Sequence, residues 1–164
     1  MRRSTAAAGS SVFFALAPGV VAGVVPWLIT GWDAEPVWLP LRVLGALVTA
    51  AGAAVLVHAF ARFVREGIGT PAPVAPTQHL VVGGLYRWVR NPMYLAVVSC
   101  IIGQAALFGS VALLVYGAVM LVVFITFVKL YEEPTLRLQF GAEYDAYRRS
   151  VPGWWPARRP SPRS

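Results

Sequence analysis

Residues 78–94 read QHLVVGGLYRWVRNPMY, and this stretch gathers polar, aromatic and cationic side chains between long apolar blocks. A second polar group, Glu132-Glu133, follows the next apolar block. Polar residues at membrane depth are rare and usually functional. The sequence therefore predicts that these two segments carry whatever chemistry the chain performs.

The composition is typical of a membrane protein. Hydrophobic residues make up 57% of the 164 residues and charged residues 13%, and the mean hydropathy is +0.63. A soluble domain usually carries about 25% charged residues. The length suits one domain, so we predict a single membrane-embedded domain over residues 1–164.

The net charge is +7, from 14 basic and 7 acidic residues. The arginines flank the apolar blocks, a pattern that fits anionic lipid headgroups better than nucleic acid. The two histidines, His58 and His79, lie far apart with no cysteine or carboxylate at ligand spacing, so no metal site is predicted. The expected partner is the lipid bilayer, without nucleic acid or metal.

Four apolar blocks predict an all-α membrane protein with about four transmembrane helices. A spanning helix needs about 20 mostly apolar residues. Residues 11–30 and 38–60 meet this condition, which places two spans within residues 1–61.

The next apolar run holds 38 uncharged residues between Arg90 and Lys129. As helix it would be about 57 Å long, nearly twice a hydrocarbon core of about 30 Å. Phe108-Gly109-Ser110 lies near its middle and predicts a turn. We therefore interpret the run as a hairpin of two spans, residues 92–108 and 111–128.

Charge placement predicts the topology. One side of a four-span arrangement carries Arg2, Arg3, Arg62, Arg65, Arg87, Arg90 and the C-terminal arginines, while Asp33 and Glu35 fall on the other. The positive-inside rule then places both termini and the loop of residues 67–90 in the cytoplasm. The preference for arginine over lysine is typical of a GC-rich genome, so we predict a multi-pass protein of a bacterial plasma membrane.

A short amphipathic helix is predicted after the hairpin, on the cytoplasmic surface. Pro134 suits a first helical turn, and Leu136, Phe140, Tyr144 and Tyr147 recur at helical spacing. Residues 151–156 end this helix, and residues 157–164 form a basic tail.

An ordered series of motifs carries a family resemblance. The series reads TPAP at 70–73, HLV at 79–81, GLY at 84–86, RNPMY at 90–94, EE at 132–133, FG at 140–141, Tyr144, Tyr147 and VP at 151–152. It resembles the integral-membrane methyltransferases related to isoprenylcysteine carboxyl methyltransferase and to phospholipid N-methyltransferases. The resemblance covers roughly residues 67–152. It implies an enzyme that uses S-adenosylmethionine, with residues 67–156 as the cofactor-binding core that contains the helical hairpin.

The resemblance also implies where the cofactor binds. A carboxylate such as Glu132 suits the ammonium of S-adenosylmethionine, and tyrosine faces suit its adenine or sulfonium. Arg90 suits the cofactor carboxylate through a bidentate contact. No catalytic base is assigned, because direct methyl displacement depends mainly on alignment. The predicted cofactor-binding residues are Gln78, His79, Leu80, Val81, Tyr86, Arg90, Asn91, Pro92, Met93, Tyr94 and Glu132.

Three positions depart from the family pattern. Asn91 stands where many members have histidine, and Gln78 stands where the prenylcysteine enzymes have histidine. Val128 replaces an arginine that meets substrate in those enzymes, which weakens the case for a carboxylate acceptor. The predicted function is methyl transfer to an amphiphilic or lipid-soluble acceptor, whether carboxylate, amine or thiol. The alternative is a non-catalytic membrane scaffold or lipid-binding protein that retains the fold.

Overall fold

The computed structural model describes residues 16–67 and 79–160, apart from the side chains of residues 63–67. Every regular element within these ranges is helical, as predicted. The elements, in chain order, are α1 (Leu16–Thr30), α2 (Leu39–Gly67), a 3-10 turn (Gly84–Arg87), α3 (Pro92–Phe108), α4 (Val111–Phe127), α5 (Glu133–Phe140) and α6 (Ala142–Ser150).

Two of the described helical segments are long and apolar enough to cross a membrane. They are Leu39–Arg62 in α2 and Val111–Phe140, which runs from α4 into α5 through a π-helical turn at Val128–Glu132. Large apolar side chains on both remain exposed, among them Leu47 and Val122. Such exposure is typical of a lipid-facing surface. Helices α1 and α3 are apolar but shorter, and a four-span arrangement stays a prediction.

Helices α2 and α3 pack so closely that their backbones touch. A Cβ atom added at Gly45 would lie 2.5 Å from the Leu107 amide nitrogen and 2.6 Å from the Gly103 carbonyl oxygen. One added at Gly52 would lie 2.9 Å from Cys100 Sγ. Small residues permit this approach, which is a common way for membrane helices to associate.

The α3–α4 hairpin turns where the sequence predicts. Gly109 has a φ of +71°, a left-handed conformation that glycine adopts without a Cβ penalty. Ser110 then caps α4, since its Oγ accepts a hydrogen bond of 3.3 Å from the Leu113 amide. The turn brings the end of α4 back to the start of α3.

Helix α1 contains a π-helical stretch, Val20–Val24, that other helices hold in place. Gln104 of α3 donates to the Ala22 carbonyl at 2.7 Å. Tyr116 of α4 donates to the Val21 carbonyl at 2.9 Å. These two bonds attach α1 to the hairpin.

The prediction of a single C-terminal helix is wrong, because the structure has two helices in this region. Two helices, α5 and α6, meet at Gly141, whose φ of +52° and ψ of −122° interrupt the helical backbone. A non-glycine residue would be strained in this conformation. The break turns α6 back toward the start of α3, where the polar residues of the chain gather.

Candidate active site

The segment before α3 is anchored by a small apolar cluster. Tyr86, in the 3-10 turn, is buried together with Val81 and with Ala59 of α2. Met93 packs against this cluster from the first turn of α3. The cluster therefore fixes the predicted cofactor segment against α2.

Tyr94 and Glu132 meet across the hairpin, although 38 positions separate them. The Tyr94 hydroxyl donates a hydrogen bond of 3.0 Å to Glu132 Oε2. The Tyr94 ring centroid lies 4.9 Å from that of Phe124 and 6.4 Å from that of Trp154. A carboxylate and several aromatic faces thus converge at the end of the hairpin where α3 begins.

Arg90 ties this end of the hairpin together. Its Nη1 lies 2.8 Å from Glu133 Oε1 and donates to the Tyr144 hydroxyl at 3.1 Å. Its Nε donates to the Val151 carbonyl at 2.9 Å. The Arg90 and Glu133 side chains are each 13% exposed, so this ion pair is shielded from water. Arg148 adds a second cation 3.4 Å from Glu133 Oε2.

Residues 151–157 run back alongside residues 88–91. The Arg90 amide donates to the Pro152 carbonyl at 2.9 Å, and the Ala157 amide donates to the Trp88 carbonyl at 2.7 Å. The buried Asn91 side chain donates to the Gly153 carbonyl at 3.1 Å. This returning segment covers the start of α3.

Two tyrosines of α6 connect this helix to the segment before α3. The Tyr147 hydroxyl donates to the Tyr86 carbonyl at 2.7 Å. Burial raises the pKa of Tyr147 well above its usual range. Burial, followed by the nearby Glu133 carboxylate, also raises the pKa of Tyr144. Both phenols are therefore neutral near pH 7 and act as hydrogen-bonding groups.

The two neighbouring glutamates have different surroundings. Glu133 is neutralised by Arg90 and Arg148. Within residues 16–67 and 79–160, the hydrogen bond from Tyr94 is the one direct polar contact of the Glu132 carboxylate, and no cation lies at ion-pair distance. A partly buried carboxylate without a cation is unfavourable. The Glu132 carboxylate is therefore the one suited to a positively charged ligand.

The structure brings most of the predicted residues to this end of the hairpin. Arg90, Asn91, Tyr94 and Glu132 share the hydrogen-bonded region, while Val81, Tyr86 and Met93 form the adjoining cluster. Pro92 is buried at the start of α3, Leu80 is partly buried and His79 is exposed. Gln78 lies outside the described residues. The assignment of these residues to a cofactor stays a prediction.

Several contacting groups are absent from the predicted cofactor-binding residues. They are Glu133, which was predicted as part of the polar pair, Tyr144 and Tyr147, which were predicted as residues of the amphipathic helix, and Arg148. The helical spacing of Tyr144 and Tyr147 carried a signal, because it placed both on the face that meets residues 86–90. The carbonyls of residues 151–153 gave no signal in the sequence, since every residue has a backbone carbonyl.

The family of the chain follows from a match to the family model described as phospholipid methyltransferase. The match covers residues 41–143, more than half of the chain, so the chain belongs to this family. It begins within α2 and ends in α6, and therefore extends further toward the N-terminus than the motif series in the sequence. A comparison with curated proteins gave no match.

Family membership indicates a methyltransferase that acts on lipid-related substrates. Methyltransferases of this family generally use S-adenosylmethionine. The two long apolar helices agree with a place in the membrane.

Proposed function

We propose that this protein transfers a methyl group from S-adenosylmethionine to a lipid-soluble acceptor at the cytoplasmic face of a membrane. The cofactor would lie between the start of α3 and the π-helical turn that joins α4 to α5. The observation that carries the proposal is the hydrogen bond between Tyr94 and Glu132, which leaves a partly buried carboxylate beside aromatic rings.

S-adenosylmethionine supplies a methyl group on a positively charged sulfur and also carries an ammonium. Glu132 would pair with the ammonium, because opposite charges attract strongly where water is scarce. Tyr94 holds the Glu132 carboxylate in position and, with Tyr86, offers aromatic faces to the cation or to adenine. These residues would bind and align the cofactor, and none of them would form a bond to the methyl group.

Arg90 has a positioning role in this proposal. The prediction that it binds the cofactor carboxylate is less favoured, since its Nε and Nη1 donate to Val151, Glu133 and Tyr144. Through these contacts it joins α3, α5, α6 and the returning segment. A fixed frame of this kind keeps the reacting atoms aligned, which is the main contribution a protein makes to a direct displacement.

The acceptor is inferred from what surrounds Glu132. Val128 is 2% exposed and apolar, and the neighbouring Lys129 is exposed. This turn of helix therefore offers no buried cation for a carboxylate acceptor. An amine or thiol on a lipid fits these surroundings better than a carboxylate does.

The cytoplasmic location rests on charge. Arginines 87, 90, 137, 148 and 149 belong to the segments around this site, and the positive-inside rule favours the cytoplasm for such segments. Both termini would then be cytoplasmic. The bacterial plasma membrane remains our prediction from composition.

Calorimetric titration of the detergent-solubilised protein with S-adenosylhomocysteine tests the proposal. We expect saturable binding to the wild type and at least roughly tenfold weaker binding to Glu132→Gln, about 1.4 kcal/mol. Glu143→Gln is the matched control, because Glu143 is an exposed carboxylate in the first turn of α6. Its affinity should equal that of the wild type.

Absence of binding to the wild type at millimolar ligand would favour the scaffold alternative. Equal affinities for wild type and Glu132→Gln would show that Glu132 does not bind the cofactor, although the protein still does. The two results separate the enzyme proposal from the residue assignment.

A further inference from the structure

An apolar groove of about 470 Å³ lies between α1, α2 and α3. Its α2 wall extends from Thr49 to Phe60, three helical turns or about 16 Å at the standard rise. The α1 wall includes Gly19 and Gly23, and a Cβ added at either would meet nothing within 4 Å. Because glycine has no side chain, the groove has open space beside these two residues.

The surface of the groove is uncharged hydrocarbon with three polar side chains. Thr49, Cys100 and Gln104 lie on the α2 and α3 walls. Each directs a donor to a backbone carbonyl: Thr49 to Gly45, Cys100 to Thr49, and Gln104 to Ala22. A ligand in the groove therefore meets mainly methyl and methylene groups.

One end of the groove lies at the same level along α2 as the apolar cluster of the candidate active site. Phe60 lines the groove, and its neighbour Ala59 is fully buried against Val81 and Tyr86. Thr49 lies at the opposite end of the α2 wall, about 16 Å away. Cys100 of α3 donates to its carbonyl, and Gln104 lies one turn further along α3. A molecule lying along the groove would thus point one end toward Tyr86.

The dimensions select a chain-like ligand. The groove follows about 16 Å of helix and has a volume of about 470 Å³. An α-helix of that length, about 10–12 Å across with its side chains, would need a larger volume. A hydrocarbon chain fits, since its carbons approach their neighbours at about 3.5–4 Å.

We propose that this groove holds one acyl chain of the lipid acceptor, with the headgroup end toward Tyr86 and the chain end toward Gln104. This inference rests on the proposed function, which supplies the lipid acceptor. The groove would orient the acceptor before methyl transfer through van der Waals packing along its chain.

Photolabelling with a phospholipid of known composition tests the proposal. Full-length protein is reconstituted into vesicles of phosphatidylethanolamine that carries a diazirine in one acyl chain, and labelled residues are mapped by mass spectrometry. We expect labels on the groove-lining residues of α1, α2 and α3. A label spread evenly around α2 would overturn the proposal.

Ala53→Phe fills the groove from α2, and Ala54→Phe is its matched control. Ala53 lines the groove, while the neighbouring exposed Ala54 is rotated by about 100° and is not part of the lining. We expect groove labelling and methyl incorporation into lipid to fall at least roughly fivefold in Ala53→Phe and to stay unchanged in Ala54→Phe. Gly23→Leu, which fills the groove from α1, should reproduce the loss if Ala53→Phe does not fold.

The affinity for S-adenosylhomocysteine separates the two proposals. Ala53→Phe should bind it as the wild type does, because the substitution lies away from Glu132 and Tyr94. Unchanged labelling and unchanged methyl incorporation in both groove-filling variants would overturn the acyl-chain site while leaving the methyltransferase proposal intact. Failure of the wild type to bind S-adenosylhomocysteine would overturn the acceptor assignment even if the groove binds lipid.

Discussion

The middle of α3 and its N-terminal end are joined to the rest of the protein by different forces. In the middle, Gly103 lets the backbone of α3 touch that of α2 near Gly45. At the N-terminal end, Arg90 and Tyr94 reach α5, α6 and the π-helical turn through hydrogen bonds. The middle should therefore respond to added volume, and the N-terminal end to the loss of donors.

The largest effect is expected from Arg90→Ala. The substitution removes three side-chain bonds and leaves the shielded Glu133 carboxylate with Arg148 as its remaining cation. Breaking a shielded ion pair on one side costs about 3–5 kcal/mol. Denaturant unfolding in detergent measures the loss.

Arg137→Ala is the control for this comparison. Arg137 pairs with Asp145 at 3.0 Å, but these side chains are 48% and 44% exposed. Exposed pairs contribute about 0–1 kcal/mol. Equal losses in the two variants would show that the burial of the Arg90 pair contributes nothing.

A smaller effect is expected from Gly45→Ala in the middle of the α2–α3 contact. Alanine would raise helix propensity by about 1 kcal/mol, yet its Cβ would overlap the α3 backbone. Overpacking of this kind costs about 1–3 kcal/mol. The melting temperature in detergent should therefore fall.

Gly19→Ala is the matched control, because the same substitution in α1 meets open space. Its melting temperature should equal or exceed that of the wild type. A stabilised Gly45→Ala protein would mean that the backbones of α2 and α3 do not touch at Gly45.

The smallest effect is expected from Tyr147→Phe, which removes the hydrogen bond to the Tyr86 carbonyl. A hydrogen bond contributes about 1 kcal/mol net. Tyr131→Phe, at an exposed tyrosine stacked on Phe127, should change stability by less. If unfolding shows the reverse order, α6 is not held to the 3-10 turn by this bond.

The sequence predicted the helices well, because their signals are local. The hairpin follows from the length of the uncharged run and from Gly109, whose positive φ ends α3. The division at Gly141 was missed, since the helical spacing of the apolar residues continues across it. Without a proline or a run of turn residues, the spacing gave no sign of the break.

The candidate site was predicted in part. The convergence of Tyr94 with Glu132 was expected from the family motifs, and the structure brings the two together. The different surroundings of Glu132 and Glu133 could not be predicted. Which carboxylate meets Arg90 depends on the π-helical turn just before them, and residue types do not specify such a turn.

The returning segment also has a consequence for biosynthesis. The carbonyls of residues 151–153 bond to Arg90 and Asn91, and they lie beyond the family match that ends at residue 143. A ribosome makes them after the helices of the bundle. A nascent chain that stops at residue 150 would thus contain the glutamates and tyrosines of the site but lack the acceptors for Arg90 Nε and the Asn91 amide. The bonds between the returning segment and residues 90–91 would therefore form late in the maturation of the protein.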